Sequence, residues 1–238
     1  VITRDTLFDG RVALAQPARR EGYRTNVDAL LLAQFARASG SRVETAFDLG
    51  SGVGAVALAL LHWDACERAV LVELDDDAAA LARGNVAANG WSSRAEVHAA
   101  DVARAAREHR GEAQLVVCNP PYVPLGHGRV AEGASRARAR SGDVAAFITA
   151  ARLLLGRRGR ACFVYPAPSL ITLVASLRAA GLEPKRMRLV RATSTDHARI
   201  VLVEARAAKA GGLVIEPDLI ERTGGGYSPE LTRIIAGE

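Results

Sequence analysis

Two short stretches of the chain combine residue types that do chemistry at the spacing that chemistry needs. The first is Asp48-Leu49-Gly50-Ser51-Gly52-Val53-Gly54. Glycines at alternate positions let the backbone turn tightly and let a ligand come close, and a helix starting at Ala55 presents free N–H donors. Such a loop holds a nucleotide-like cofactor. The second is Asn119-Pro120-Pro121-Tyr122. Its two prolines remove backbone donors and fix φ, so the loop is stiff and its carbonyls face outward as acceptors. The Asn119 side-chain oxygen and the Pro120 backbone oxygen match the two hydrogens of a planar amino group, and Tyr122 offers a flat face for a stacked base.

The glycine loop by itself has two readings, because Gly50, Gly52 and Ala55 also satisfy the dinucleotide pattern G-x-G-x-x-G/A, with Glu73 at the distance of a ribose-binding acid. Asp48 tips the balance. A carboxylate at the loop mouth repels a pyrophosphate within a few ångström but attracts the ammonium and sulfonium groups of S-adenosylmethionine. Glu73, at the end of the next strand, can accept both ribose hydroxyls, and Asp101, after the third strand, is placed to take the adenine amino group or to cap the following helix. Leu74, Val102, Ser51, Gly54 and Asn119 complete the candidate cofactor set. A sulfonium donor opposite an amine acceptor predicts in-line methyl transfer to an exocyclic nitrogen, driven mainly by positioning and electrostatic preorganisation.

These segments need a scaffold, and from about Val43 to Glu204 the sequence supplies one. Short apolar runs (Thr45 to Leu49, Ala69 to Glu73, Ala95 to Ala99, Leu115 to Cys118, Ala161 to Tyr165) alternate with helical patterns at Ala55 to Trp63, Asp76 to Ala88, Val144 to Leu155 and Ser169 to Ala180. Strict alternation predicts an α/β fold, a parallel sheet covered by helices on both faces. Asp75, Asp76 and Asp77 read as N-terminal caps of the second helix and Asn89-Gly90 as its left-handed stop. Lys185 to Arg191 and Arg199 to Glu204 read as an antiparallel edge, giving a seven-stranded, mostly parallel sheet. We expect three regions: residues 1–42, an extension with an apolar helix from Val27 to Ala38 that packs on the core and covers the cofactor site; 43–206, the catalytic domain; and 207–238, a loop-rich tail.

With both motifs in register on this scaffold, the chain resembles the Rossmann-like class I methyltransferases that modify amino or amide nitrogens, over roughly residues 20 to 205. The segment Gly22-Tyr23-Arg24-Thr25-Asn26-Val27-Asp28-Ala29-Leu30-Leu31-Leu32-Ala33 is similar to one in the bacterial tRNA adenine-N6 methyltransferases that act beside the anticodon of a valine tRNA. The resemblance implies S-adenosylmethionine as cofactor, tRNA as partner, Asn119, Pro120, Pro121 and Tyr122 as catalytic residues, and Tyr23, Thr25, Asn26 or Asp28 over the methionine end of the cofactor. The chain departs from the family at Val123 and Thr25, where aromatic residues are usual. Release-factor methyltransferases share the same four-residue loop, so a protein glutamine amide is the alternative acceptor, and a non-catalytic module binding cofactor and RNA is a third reading.

The 238 residues carry a net charge of +5, which fits a polyanionic partner. All but two of the 31 basic residues are arginine, so biased composition competes with that reading. Arg129, Arg136, Arg138 and Arg140, between Gly126 and Gly142, form a basic loop beside the acceptor motif that could grip phosphates. Three cysteines (Cys66, Cys118, Cys162) in no paired spacing fit a reducing compartment, and five histidines without ligand spacing predict no metal site. The longest apolar run, Ala55 to Leu61, is far short of the ~20 residues of a membrane span. A cytoplasmic enzyme is expected, as monomer or homodimer.

Overall fold

The computed structural model describes residues 1–18, 27–38, 40, 42–120 and 144–238. Strands β3 (Val43–Leu49), β4 (Cys66–Glu73), β5 (Ala95–Ala99), β6 (Ala113–Cys118) and β7 (Leu155–Pro166) form a parallel sheet in the order β7-β6-β3-β4-β5. Beyond β7 the sheet turns antiparallel through β9 (Ala198–Arg206) and then β8 (Glu183–Arg191). The order reverses between β3 and β6, the switch point at which ligands bind in open α/β sheets.

Helices cover both faces, as the alternating sequence requires. Ala46, Leu71, Leu115 and Val117 point to one side, where α1 (Val27–Arg37), α2 (Ala55–His62) and α3 (Asp76–Ala88) pack on them. Phe47, Leu49, Val70, Val72 and Val116 point to the other, against α4 (Val102–Glu108), α5 (Val144–Leu154) and α6 (Leu170–Ala179). Each strand residue therefore belongs to one of two cores according to parity. The expected caps form: the Asp75 side chain accepts from the Ala78 N–H at 2.9 Å, and Gly90 takes φ +71° after Asn89.

Two features go beyond the sequence expectation. Residues 1–17 form a hairpin, β1 (Ile2–Leu7) and β2 (Val12–Pro17). Its second strand is held by Asn85 of α3 and Asn89, the residue that caps that helix, acting in place of a neighbouring strand. Asn85 exchanges a pair of hydrogen bonds with the backbone of Ala15, at 2.6 and 3.0 Å, and Asn89 does the same with Ala13, at 2.8 and 2.9 Å. The tail is also more ordered than a loop. Strands β10 (Val214–Ile215) and β11 (Leu219–Ile220) extend the sheet by pairing in succession along β8, β12 (Arg222–Thr223) pairs with β13 (Gly226–Tyr227), and α7 (Pro229–Ala236) buries Leu231 and Ile234 in the α1 core. Strands of two residues carry no periodicity, so what pins this tail is charge: Arg188 bonds Glu230 through both nitrogens at 2.6 and 2.8 Å, and Arg186 pairs with Glu216 at 2.8 Å.

Candidate active site

The C-terminal ends of β3, β4, β5 and β6 bring the sequence-predicted residues to one edge of the sheet. Leu49 lies opposite Val72 on one side and Cys118 on the other, so Gly50 follows β3 between the ends of β4 and β6. The Gly50 and Ser51 N–H groups both donate to the Val72 carbonyl, at 2.9 and 3.1 Å. All three loop glycines have positive φ: +67° at Gly50, +55° at Gly52 and +91° at Gly54. They are not equivalent in space. A Cβ on Gly50 would lie 3.0 Å from the Phe147 ring and one on Gly54 2.8 Å from Leu71, whereas a Cβ on Gly52 would meet nothing within 4 Å among the described residues. Gly50 and Gly54 thus permit close packing inside the protein, and Gly52 faces open space where a ligand can come against the backbone.

Two polar groups of the loop fit a bound ligand. The Ser51 hydroxyl is buried and has no partner among the described residues, the kind of orphan that a ligand satisfies. Glu73 accepts the Gly52 N–H at 2.7 Å with one oxygen and the Asp75 N–H at 2.9 Å with the other. Each oxygen keeps a further lone pair, enough for two ribose hydroxyls. Asp101 caps α4, accepting from Ala103 at 2.9 Å and Arg104 at 3.3 Å through one oxygen, so the capping alternative is realised and leaves the other oxygen available. Leu74 and Asp101 are exposed beside this edge, with Val102 half-buried.

Asp48 lies beneath the loop rather than at its mouth. Strand parity sends its side chain to the α2 face, where it is 2% exposed and accepts the Ala57 N–H at 3.1 Å. Burial pushes its carboxyl up to about 7 against the opposing pull of that hydrogen bond, and the nearby Glu73 charge adds to the rise. A cation above the loop would reverse that shift.

Asn119 and Pro120 follow β6 directly, Asn119 half-buried and Pro120 buried, so the acceptor motif starts one strand away from the glycine loop. Pro121, Tyr122, the basic loop from Gly126 to Gly142, and Tyr23, Thr25 and Asn26 lie outside the described residues. Asp28 is 3% exposed at the start of α1, and Arg199 holds both its oxygens at 2.7 and 3.1 Å while also bonding Glu221 of the tail at 2.6 Å. Its role here is an ion pair linking α1, β9 and the tail. Cys118 is buried and its thiol is pushed well above the ordinary range by desolvation, which leaves it packing rather than reacting. No cluster of His, Cys, Asp or Glu among the described residues has the makings of a metal site.

Two supporting residues escaped the sequence reading. Phe147 of α5 closes the far side of Gly50. Asn85 donates to the Val53 carbonyl at 2.9 Å while it clamps Ala15, which ties the glycine loop to the N-terminal hairpin. The readable signal for Asn85 was a polar residue on the buried face of α3, in line with Ala79 and Ala82.

Comparison with known proteins agrees with this geometry. Residues 26–166 match the family described as "Methyltransferase small domain". The chain belongs to the methyltransferase small domain family. Among curated relatives, a tRNA1(Val) (adenine(37)-N6)-methyltransferase of Serratia proteamaculans is 39% identical over 100 residues, 42% of this chain and 38% of that one. One of the same description from Shewanella halifaxensis is 32% identical over 162 residues, 66% of this chain and 64% of that one. These alignments span less than two thirds of the relatives' lengths. Among solved structures, a predicted O-methyltransferase from Agrobacterium tumefaciens superposes with a TM-score of 0.67 at 25% identity, covering 88% of this chain and 95% of that one. As a family member the chain has the Rossmann-like class I methyltransferase fold expected of it.

Proposed function

We propose that the chain transfers a methyl group from S-adenosylmethionine to the exocyclic N6 of an adenine in tRNA, at position 37 of a valine tRNA. The observation that carries this reading is the adjacency, across the β3–β6 switch point, of a glycine loop with an open backbone face and the Asn119-Pro120 start of an amine-acceptor motif. The described function of the curated relatives supports the RNA acceptor, and the net charge of +5 suits it.

When bound, S-adenosylmethionine supplies an electrophilic methyl on a positively charged sulphur. The chain does the rest by positioning. Glu73 takes the ribose hydroxyls with the lone pairs that Gly52 and Asp75 leave, Ser51 Oγ gains its missing partner, and Asp48 lends negative charge from under the loop. Asp101, Val102 and Leu74 border the adenine, and family resemblance assigns Tyr23, Thr25 or Asn26 to the methionine end, with Asp28 in its ion pair to Arg199 at the start of α1. Asn119 Oδ1 and the Pro120 carbonyl accept the two hydrogens of the target amino group, concentrating its lone pair on nitrogen and aiming it at the methyl carbon. Pro121 keeps that corner stiff and Tyr122 stacks on the base, which has to leave its stack to arrive. After attack the nitrogen's proton is acidic and leaves to solvent or a carbonyl.

In this reading residues 43–206 form the catalytic unit, residues 1–42 cover the cofactor, residues 207–238 brace β8, and the enzyme works in the cytoplasm on its tRNA. Asn119→Ala is the direct test. It should abolish transfer to tRNA while cofactor affinity by calorimetry stays within about twofold; unchanged turnover would remove Asn119 from the mechanism.

A further inference from the structure

At the opposite end of the sheet, where β3, β4, β6 and β7 begin, a half-open cavity of about 350 Å³ lies between the strand starts and the C-terminal end of α1. Seven residues of β3, or ~20 Å, separate it from the glycine loop. Gln34, Arg37, Arg42, Trp63, Asp64 and Arg160 line it, so three guanidinium groups face a single carboxylate.

That carboxylate is already shared. Asp64 bonds Arg94 at 2.8 Å and pairs with Arg42 at 3.3 Å, and Arg42 also approaches Glu67 at 3.5 Å. Arg37 has no side-chain carboxylate among its contacts with the described residues: its Nε donates to Gln34 Oε1 at 2.6 Å, a terminal nitrogen donates to the main-chain oxygen of Glu238 at 2.8 Å, and its guanidinium lies 4.4 Å over the Trp63 ring. Arg160 is the least compensated. It is 9% exposed, it donates to the Ala36 carbonyl at 3.3 Å, and its Nε is buried with no acceptor among the described residues. A buried guanidinium with neither carboxylate nor full hydrogen bonding strongly opposes folding unless something anionic reaches it.

We infer that this cavity is a binding site for a small phosphate-bearing molecule, separate from the proposed methyl-transfer site and independent of that reading. Planar guanidinium forks take phosphate oxygens in pairs, and the surplus of guanidinium over carboxylate in the lining of a partly enclosed space suits a compact polyanion. The volume falls in the range of small-molecule sites and exceeds what a lone ion needs. The partly enclosed shape of the cavity favours a compact free molecule over a nucleic-acid backbone lying on the surface.

Inorganic pyrophosphate is the probe. Titrated into the full chain carrying Trp91→Phe, it should change the emission of Trp63 saturably, and calorimetry on the unsubstituted chain should give one site per chain. Arg160→Met should weaken binding at least tenfold, whereas Arg157→Met, an exposed neighbour on β7, should leave it unchanged. Saturating S-adenosylhomocysteine should not displace the anion. No binding at millimolar pyrophosphate by the unsubstituted chain overturns the proposal, a result that does not depend on how any variant folds. Displacement by S-adenosylhomocysteine would put the anion in the glycine loop instead. Loss of tRNA affinity in Arg160→Met with pyrophosphate affinity intact would make the cavity an RNA contact and equally end the small-molecule reading.

Discussion

Replacing Asp48 by asparagine separates what this residue does for the fold from what it does for the cofactor. In the fold its carboxyl titrates at about 7, against 3.8 for an ordinary aspartate, because it is fully buried. A group whose folded value is raised contributes stability below the unfolded value, and that stability is lost as pH rises through the folded one. At about 1.4 kcal/mol per pH unit, the whole interval corresponds to about 4 kcal/mol, of which about 3 kcal/mol lies between pH 5 and pH 8. Asparagine keeps an oxygen for the Ala57 N–H and cannot ionise, so the substitution should gain about 3 kcal/mol relative to the native chain on going from pH 5 to pH 8. Fixed costs of the asparagine amide cancel in that comparison. Urea unfolding of both proteins at the two pH values reads the difference. Calorimetry should show the opposite trend for function: S-adenosylmethionine affinity in the native chain should rise as pH passes 7 and Asp48 ionises, while Asp48→Asn should bind weakly with little pH dependence. A stability difference between the two proteins that stays flat from pH 5 to pH 8 would refute the assignment of a desolvated, cation-seeking carboxylate under the loop.

Other perturbations test other parts of the site. Asn85→Ala removes the clamp on Ala15 and the bond to the Val53 carbonyl, so it should cost about 2–4 kcal/mol in urea unfolding and speed amide exchange in both β2 and the glycine loop. Gly54→Ala forces a side chain into φ +91° and to 2.8 Å from Leu71, and should cost about 1–3 kcal/mol, whereas Gly52→Ala, strained at φ +55° but meeting no atom of the described residues, should cost less than Gly54→Ala and yet weaken cofactor binding more. Glu73→Gln should lower S-adenosylmethionine affinity at least tenfold by calorimetry, because the amide offers one acceptor oxygen where the carboxylate has two, and it also loses one of the bonds from Gly52 and Asp75.

The parallel core was legible because burial on both faces leaves uninterrupted apolar runs, and capping leaves signatures such as Asp75 and Gly90. The glycine loop and the acceptor corner were legible because their backbone demands restrict the residue types. Asp48 shows where that stops: its presence was readable, yet its depth depends on strand parity relative to α2, which one residue of register decides. The hairpin and the tail were opaque for a different reason. Their order comes from long-range partners, Asn85 and Asn89 for β2, Arg186, Arg188 and Arg199 for the tail, and nothing local in either segment announces those contacts.

The central claim is that the corner beginning at Asn119 holds an adenine amino group in line with a sulfonium methyl. Incubating the purified chain with tRNA and isotopically labelled S-adenosylmethionine, digesting the RNA to nucleosides and separating them tests it most directly. The label should elute as N6-methyladenosine and should vanish with Asn119→Ala. Unlabelled nucleosides, with label instead in a glutamine-containing peptide when release factors are offered alongside, would contradict it.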